Sequence, residues 1–460
     1  MGKHKTFALS VIIYLLVLVF FRYGMIAPEQ AYTATPAASN FSTDKDYVPD
    51  EVLEKLAKAR TVASDENVRK FPYPYKAMLA IVSDSDSATP AAFSSIHRFL
   101  NTNEETEYGT GLGLDVADSF WLYMGSNLTD TANTMTYFSG TSYEKLYSDK
   151  IAHYINCGWL DSIHTFGDFS RLDVDDITFS KELAQNGWQE LESEELNKLS
   201  VWIDHGNAAN VQNFGAYNPI NASRYQAGDN PFSKYYHANI TAKNGIRFIW
   251  HSRHDDRFGQ DFPLVEKTLR NGQKIWGFYR YSCEMDGKTI LWNWSPEMLP
   301  TQLTEAHLDC IVQNSQYALV AQHLGYYGDG YTYTQKSIDA LKLLAGYQNE
   351  RKEILVARTA RLLTYCVSQK YINYKTIDFD NKTYISITGV DDPVSSFRKP
   401  DINELHGICF YSNSPENTVL LMGGETIDEE LIQINPPDET GRASIMIKWF
   451  EPDTTDYSLD

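Results

Sequence analysis

The chain is poor in cysteine, in positive charge and, past its first 26 residues, in long apolar runs. Five cysteines in 460 residues (Cys157, Cys283, Cys310, Cys366 and Cys409) are scattered, odd in number and without CxxC spacing. That excludes a cysteine-based zinc framework, and a body this large does not depend on disulfides. Lys and Arg number 40 against 60 Asp and Glu, a net charge of -20. Such a balance argues against a nucleic-acid partner and against a surface that hugs anionic lipid. Acidic excess by itself signals only solubility.

What is present begins with an apolar segment. Lys3 and Lys5 precede FALSVIIYLLVLVFF, the 15 residues Phe7 to Phe21. A bilayer-spanning helix needs ~20 residues. Counting on through Arg22, whose head can snorkel, to Ile26 reaches that length. A basic start followed by an apolar run marks an export signal or signal anchor. The small-residue sites at Ala31 to Ala34 and at Ala37-Ala38 are poor cleavage sites. The expectation is therefore a single-pass membrane anchor over residues 1–26 with the body outside the cytosol, or a secreted or periplasmic body if the segment is cleaved. Residues 27–70 are small, polar and Pro-containing at first, and read as a tether followed by a short helix.

From Pro72 one pattern recurs: a short apolar run, a polar tip, then a stretch able to form a helix. The runs are Met78–Val82, Gly111–Leu114, Ser162-Ile163, Leu199–Ile203, Ile246–Trp250, Ile275–Phe278, Ala318–Ala321 and Ile354–Ala357. Apolar runs with polar residues gathered at the C-terminal end read as buried parallel strands. Helices are expected over Pro90–Leu100, Phe179–Asn186 and Gln335–Tyr347. Repeated strand-helix alternation over residues 71–372 predicts an α/β fold, a (β/α) barrel of seven or eight strands, with a doubly wound open sheet as the alternative. Past Thr376 the runs Tyr384–Thr388, Gly407–Tyr411, Thr418–Met422 and Ala443–Ile447 are separated by Pro, Asn and Gly. They predict a small sandwich-like β domain over residues 373–460.

In a barrel, chemistry collects at the C-terminal ends of the strands. The tips there supply Asp84, Asp86, His164, Asp168, His205, His251, His254, Asp255 and His323. A cation site needs two to four converging imidazole or carboxylate groups, and different strand ends of one barrel converge. His164 and Asp168 are four apart, so one helical turn after the strand would put both on one side. Aromatic residues are dense in WHSRHDD, WGFYRY, WNWSP and YYGDGYTY, which leans toward a carbohydrate ligand because sugar rings stack on aromatic faces. Trp250, His251, His254, Asp255 and Arg280 are the substrate-binding candidates from these tips.

The order of these motifs resembles that of the NodB-type polysaccharide deacetylases across roughly residues 72–330. In that family a first strand ends in an Asp-Asp pair, one Asp serving as base and the other as zinc ligand. Here the first strand of the body ends in Ile81-Val82-Ser83-Asp84-Ser85-Asp86. The second family motif, a His-Thr/Ser segment after a helix and a glycine, is matched by GWLDSIHTFGD at residues 158–168, with Asp168 where a second His would stand. A late apolar strand closing on a general-acid His is matched by Leu319–His323. The family's Arg-Pro motif is absent, and Trp202-Ile203-Asp204-His205-Gly206 stands in its place, offering His205 as a compensating ligand.

The resemblance implies a metal-dependent hydrolase that removes acyl groups from a polysaccharide or other glycan. Either of Asp84 and Asp86 fits the base with the other as ligand. The assignment taken is Asp84 and His323 as catalytic pair, with Asp86, His164, Asp168 and His205 holding a divalent metal, zinc in that family. Three other readings compete. A membrane-anchored glycosyltransferase would use Asp84-Ser85-Asp86 as its metal motif. A glycosidase would pair two of Asp84, Asp115, Asp204 and Asp255. The missing second His would also suit an inactive carbohydrate-binding protein.

Overall fold

The structure is a computed structural model that describes residues 48–124, 134–169, 178–206, 210–214, 226–252, 255–325 and 333–459. These lie within the unit Tyr47–Asp460. The segment Phe7 to Ile26 and His254 fall outside the described residues. Among those described, no helix is long and apolar enough to cross a membrane.

The chain folds as a mixed α/β protein. Its parallel strands, in chain order, are β1 (Ala77–Ser83), β2 (Asp118–Phe120), β3 (Leu160–Ile163), β4 (Val201–Trp202), β5 (Phe248–Trp250), β6 (Lys274–Phe278), β7 (Tyr317–Gln322) and β8 (Ile354–Val356). Every residue of β1 and β7 is buried, as the apolar runs on both faces require. Alternate residues of β1 serve opposite sides. Met78, Ala80 and Val82 join one apolar cluster, while Ala77, Leu79 and Ile81 join another with Ile96, Phe99, Leu341 and Leu344 of the flanking helices.

The parallel strands fall into two runs, β7-β1-β8 and β6-β5-β4-β3-β2. The two runs come together at two places. Ser83 Oγ donates to Asp118 Oδ2 at 2.9 Å and Ser119 Oγ to the Ser83 carbonyl at 2.8 Å. On the other side, Tyr281 beyond β6 bridges Val320 of β7 in parallel.

Helices separate most of the strands. Those at Pro90–Asn101, Lys181–Ser193, Glu305–Gln313 and Gln335–Asn349 start at Thr89, Ser180, Thr304 and Thr334, whose side chains accept a backbone N–H three residues on. The Ser148–Cys157 helix ends at Gly158, whose φ of 83° places it in the left-handed region where glycine is unstrained. Between β5 and β6 the described residues hold an antiparallel strand, Leu264–Thr268, paired with β6.

One expected strand is displaced. Gly111–Leu114 is not a strand, and the second strand of the series is Asp118–Phe120. The Leu112, Gly113 and Leu114 N–H groups donate instead to the carbonyls of Phe99, Thr102 and Leu100 at the end of the preceding helix. The glycine permits this approach, because a Cβ on Gly111 would lie 2.2 Å from the Thr102 oxygen. Asp115 therefore precedes a strand instead of following one, and is held by Arg358 and Arg361 at 2.7 and 2.8 Å.

After the Thr359–Tyr371 helix, two sheets follow. One contains Ile372–Phe379, Lys382–Asp392 and Thr418–Met422, and the other Cys409–Tyr411, Ser444–Ile447 and Ile432–Asn435. Val62-Ala63 extends the first by pairing with Tyr374 and Asn373, and Val52 and Leu56 of the Asp50–Lys58 helix pack on Tyr384 and Leu421. Ile385, Ile387, Leu420 and Ile445 share one apolar cluster with Met78, Val82 and Phe248 of the parallel strands. All five cysteines are unpaired.

Candidate metal centre

Each strand that carries a polar tip stops just before it. Asp84 and Asp86 follow β1, His164 follows β3, Asp204 and His205 follow β4, and His323 follows β7. Parallel alignment puts these ends on one side, and the tips meet there.

Asp86 is the hub. Its Oδ1 lies 2.8 Å from His205 Nε2 and its Oδ2 2.8 Å from His164 Nε2. His164 Nδ1 lies 3.1 Å from the Ile203 carbonyl. A carbonyl only accepts, so Nδ1 donates there, and Nε2 faces Asp86. His205 is oriented in the same way from behind, with Nδ1 3.4 Å from Asp168 Oδ1. Two imidazole nitrogens and a carboxylate thus face one another, with ligand atoms all within 4.8 Å. Partners that fix the far nitrogen of each ring are the usual support of a histidine metal ligand.

His164 is fully buried, while the side chains of Asp86 and His205 are 17% and 16% exposed, so the centre opens to solvent on one side. Trp121 closes the floor, stacked on His164 at 5.5 Å and 9° and edge-on to His205 at 5.6 Å. Burial pushes the Asp86 carboxyl up, but His205 and His164 outweigh it and hold Asp86 well below the usual carboxylate range. Burial likewise pushes the His205 imidazole down, and Asp86 and Asp168 more than reverse this.

Beside this set stand Asp84 and His323. Asp84 is gripped by both Nη atoms of Arg280, with Nη2 2.7 Å from Oδ2. Burial raises its pKa, but the Arg280 and His164 charges bring it below the usual range. His323 Nε2 lies 3.3 Å from Asp86 Oδ2 and 3.9 Å from Asp84 Oδ2. Its Nδ1 donates to the Trp294 carbonyl at 3.3 Å, and the Trp294 ring lies 4.4 Å away. Burial lowers the His323 pKa, yet Asp86 and Asp84 raise it above the ordinary imidazole value. Asp84, Asp86 and His323 form a second set with ligand atoms within 4.8 Å. Within that set Asp84 is already paired with the Arg280 guanidinium.

Six of the expected residues, Asp84, Asp86, His164, Asp168, His205 and His323, therefore come together. Asp168 does so differently from the expectation. No helical turn follows His164, because Gly167-Asp168 is extended and pairs with Tyr123-Met124. Gly167 has φ 148°, and a Cβ there would meet the Tyr123 oxygen at 2.0 Å. Asp168 is aimed at His205 Nδ1, while Asp86 faces Nε2 of the same ring.

The expected substrate residues are placed less favourably for that role. Arg280 is 2% exposed and committed to Asp84, with its guanidinium 3.9 Å from the centre of the buried Trp250 ring. His251 packs edge-on against Tyr279 at 5.0 Å, and burial pushes its imidazole down to about 4. Asp255 is buried and held by Arg257 at 2.9 Å. Asp204 is buried and accepts from Trp202 Nε1 at 2.7 Å and Phe214 N at 3.2 Å, a structural role. Trp121 and Trp294 went unassigned from sequence. Trp294 lies in the dense WNWSP segment, whereas nothing local marks Trp121.

Neither a family model nor a curated protein matches the chain.

Proposed function

We propose that this protein is a metal-dependent hydrolase that removes acyl groups from a polysaccharide outside the cytosol, in the manner of the NodB-type deacetylases it resembles. One observation carries the reading: two imidazole Nε2 atoms, each with a partner on the far side of its ring, lie 2.8 Å from the same carboxylate. A two-His, one-carboxylate set with an open side suits zinc. His205 fills the place of the missing second His, which weighs against the inactive reading. The two parallel runs are read as arcs of one distorted barrel, since they approach each other at Ser83–Asp118 and at Tyr281–Val320. The basic and apolar start of the chain supports delivery of the body across a membrane.

Asp86, His164 and His205 would hold the ion. When bound, it polarises the acyl carbonyl and acidifies water. Asp84 accepts a proton from the attacking water as the new carbon–oxygen bond forms. Its fork to Arg280 leaves lone pairs on Oδ2, the oxygen that faces His323. His323, whose Nδ1 is anchored on the Trp294 carbonyl and whose Nε2 faces the centre, gives a proton to the leaving amine or alcohol as the bond to the acyl carbon breaks.

The test is metal content of the purified full chain, followed by acetate release from N- and O-acetylated oligosaccharides. About one equivalent of zinc, with turnover lost to a chelator and restored by the metal, is expected. Turnover that survives complete metal removal would refute the reading. Manganese-dependent binding of a sugar nucleotide with no acetate release would assign the centre to a glycosyltransferase.

A further inference from the structure

The two halves of the catalytic pair sit on neighbouring strands, Asp84 after β1 and His323 after β7, which pair in parallel as far as Ser83 and Gln322, and a third strand, β2, reaches the same point. Ser83 is the last residue of β1 and is 1% exposed. Its hydroxyl accepts the Leu324 N–H at 2.9 Å and donates to Asp118 Oδ2 at 2.9 Å. Leu324 is the residue after His323, and Ser83 is the residue before Asp84. One buried hydroxyl therefore ties the backbone beside the base to the backbone beside the acid.

Asp118 fixes that hydroxyl. Its carboxylate is 1% exposed, and its Oδ1 accepts the Ser119 N–H at 2.7 Å. His97 Nε2, on the helix behind, lies 3.6 Å from Oδ2. His97 Nδ1 faces the Asn101 amide nitrogen at 3.4 Å. With Oδ2 accepting from Ser83, the Ser83 lone pair is left for Leu324. The Ser119 hydroxyl closes the knot on the Ser83 carbonyl at 2.8 Å.

We propose that Ser83 and Asp118 are positioning residues that set the separation of Asp84 and His323 without touching substrate. β1 and β2 belong to different sheets, so this knot of side chains does there what backbone pairing does elsewhere. A displacement of ~1 Å at a catalytic pair costs ~10²-fold in rate, and loss of a supporting partner typically costs ~10–100-fold.

The kinetic half of this proposal rests on the hydrolase reading, so the test has a second half that does not. In the zinc-loaded full chain, Ser83→Ala should lower kcat for acetate release ~10–100-fold with KM and zinc content unchanged. Ser83→Thr, which keeps the hydroxyl, should restore most of the loss, and Asp118→Asn should fall between. A purely structural role would lower stability without that split or that rescue. In the metal-free full chain, the rate at which diethyl pyrocarbonate modifies His323, followed by mass spectrometry, should rise severalfold in Ser83→Ala. It should not rise in Ser83→Thr, and the rate at His406, which lies beside Phe450 with Nδ1 2.6 Å from the Lys448 carbonyl, should stay unchanged in both. A Ser83→Ala chain with wild-type kcat, or an unchanged His323 labelling rate, overturns the proposal. Absence of turnover in the wild-type chain rejects the hydrolase reading alone, and the labelling result then decides.

Discussion

Replacing Arg280 by Met isolates the ion pair on which the Asp84 side of the centre depends. Arg280 and Asp84 are 2% and 4% exposed, so solvent screens the pair little. Methionine keeps most of the apolar stem but removes both fork contacts to Asp84 and the Nη1 contact to the Val82 carbonyl at 3.3 Å. Breaking a buried pair and leaving one charge behind costs ~3–5 kcal/mol, and the lost guanidinium–indole contact lies within that figure. Arg280→Met should therefore lower the unfolding free energy of the metal-free chain by ~4 kcal/mol, a large share of the ~5–15 kcal/mol available to a folded protein. Denaturant titration at neutral pH measures it. Adding Asp84→Asn removes the stranded charge, so the double variant should recover ~2 kcal/mol or more, a coupling of the size seen between contacting residues. A loss under ~1 kcal/mol for Arg280→Met, or simple additivity in the double variant, would show that the pair is not a buried, coupled unit.

Three further outcomes are expected. His164→Ala and His205→Ala should each abolish zinc binding in calorimetric titration, while Asp168→Ala should weaken it ~10–100-fold because it only orients His205; equal losses in all three would return Asp168 to the ligand set. His323→Ala should keep the metal and lower turnover ~10²–10⁴-fold, and loss of the metal instead would make His323 a ligand. His237 is fully buried, with Nε2 donating to the Gln212 carbonyl at 2.7 Å and Thr241 donating to Nδ1 at 2.9 Å, and burial pushes its imidazole down to about 4. Its folded value lies below the ~6.5 of an unfolded chain. The stability tied to its neutral form is therefore intact above pH ~6.5 and falls by about 3 kcal/mol as the pH drops toward 4. His237→Asn should lose that part of the acid slope in pH-dependent denaturation, and an identical slope would contradict the assignment.

Local sequence by itself determined the elements that satisfy their own needs. The runs at Ala77–Ser83, Tyr317–Gln322 and Ile354–Val356 are apolar on both faces, and such runs are stable only as covered strands. The helices at Pro90–Asn101 and Gln335–Asn349 carry their own caps in Thr89 and Thr334, so their starts were legible too. The polar tips were legible as well, because Asp86, His164, His205 and His323 each stand just past the end of an apolar run. Tertiary structure decided what those tips do. The four-residue spacing of His164 and Asp168 pointed to a shared helical face, but pairing with Tyr123-Met124 stretched the segment and sent Asp168 behind His205. The Gly111–Leu114 run had the look of a strand, yet the open carbonyls ending the neighbouring helix took its N–H groups. Arg280 sat among aromatics like a ligand-binding residue until the fold buried it against Asp84, 196 residues away in the chain. Periodicity and capping are read within a few residues, whereas charge pairing and strand neighbours are set by whichever distant groups burial leaves without water.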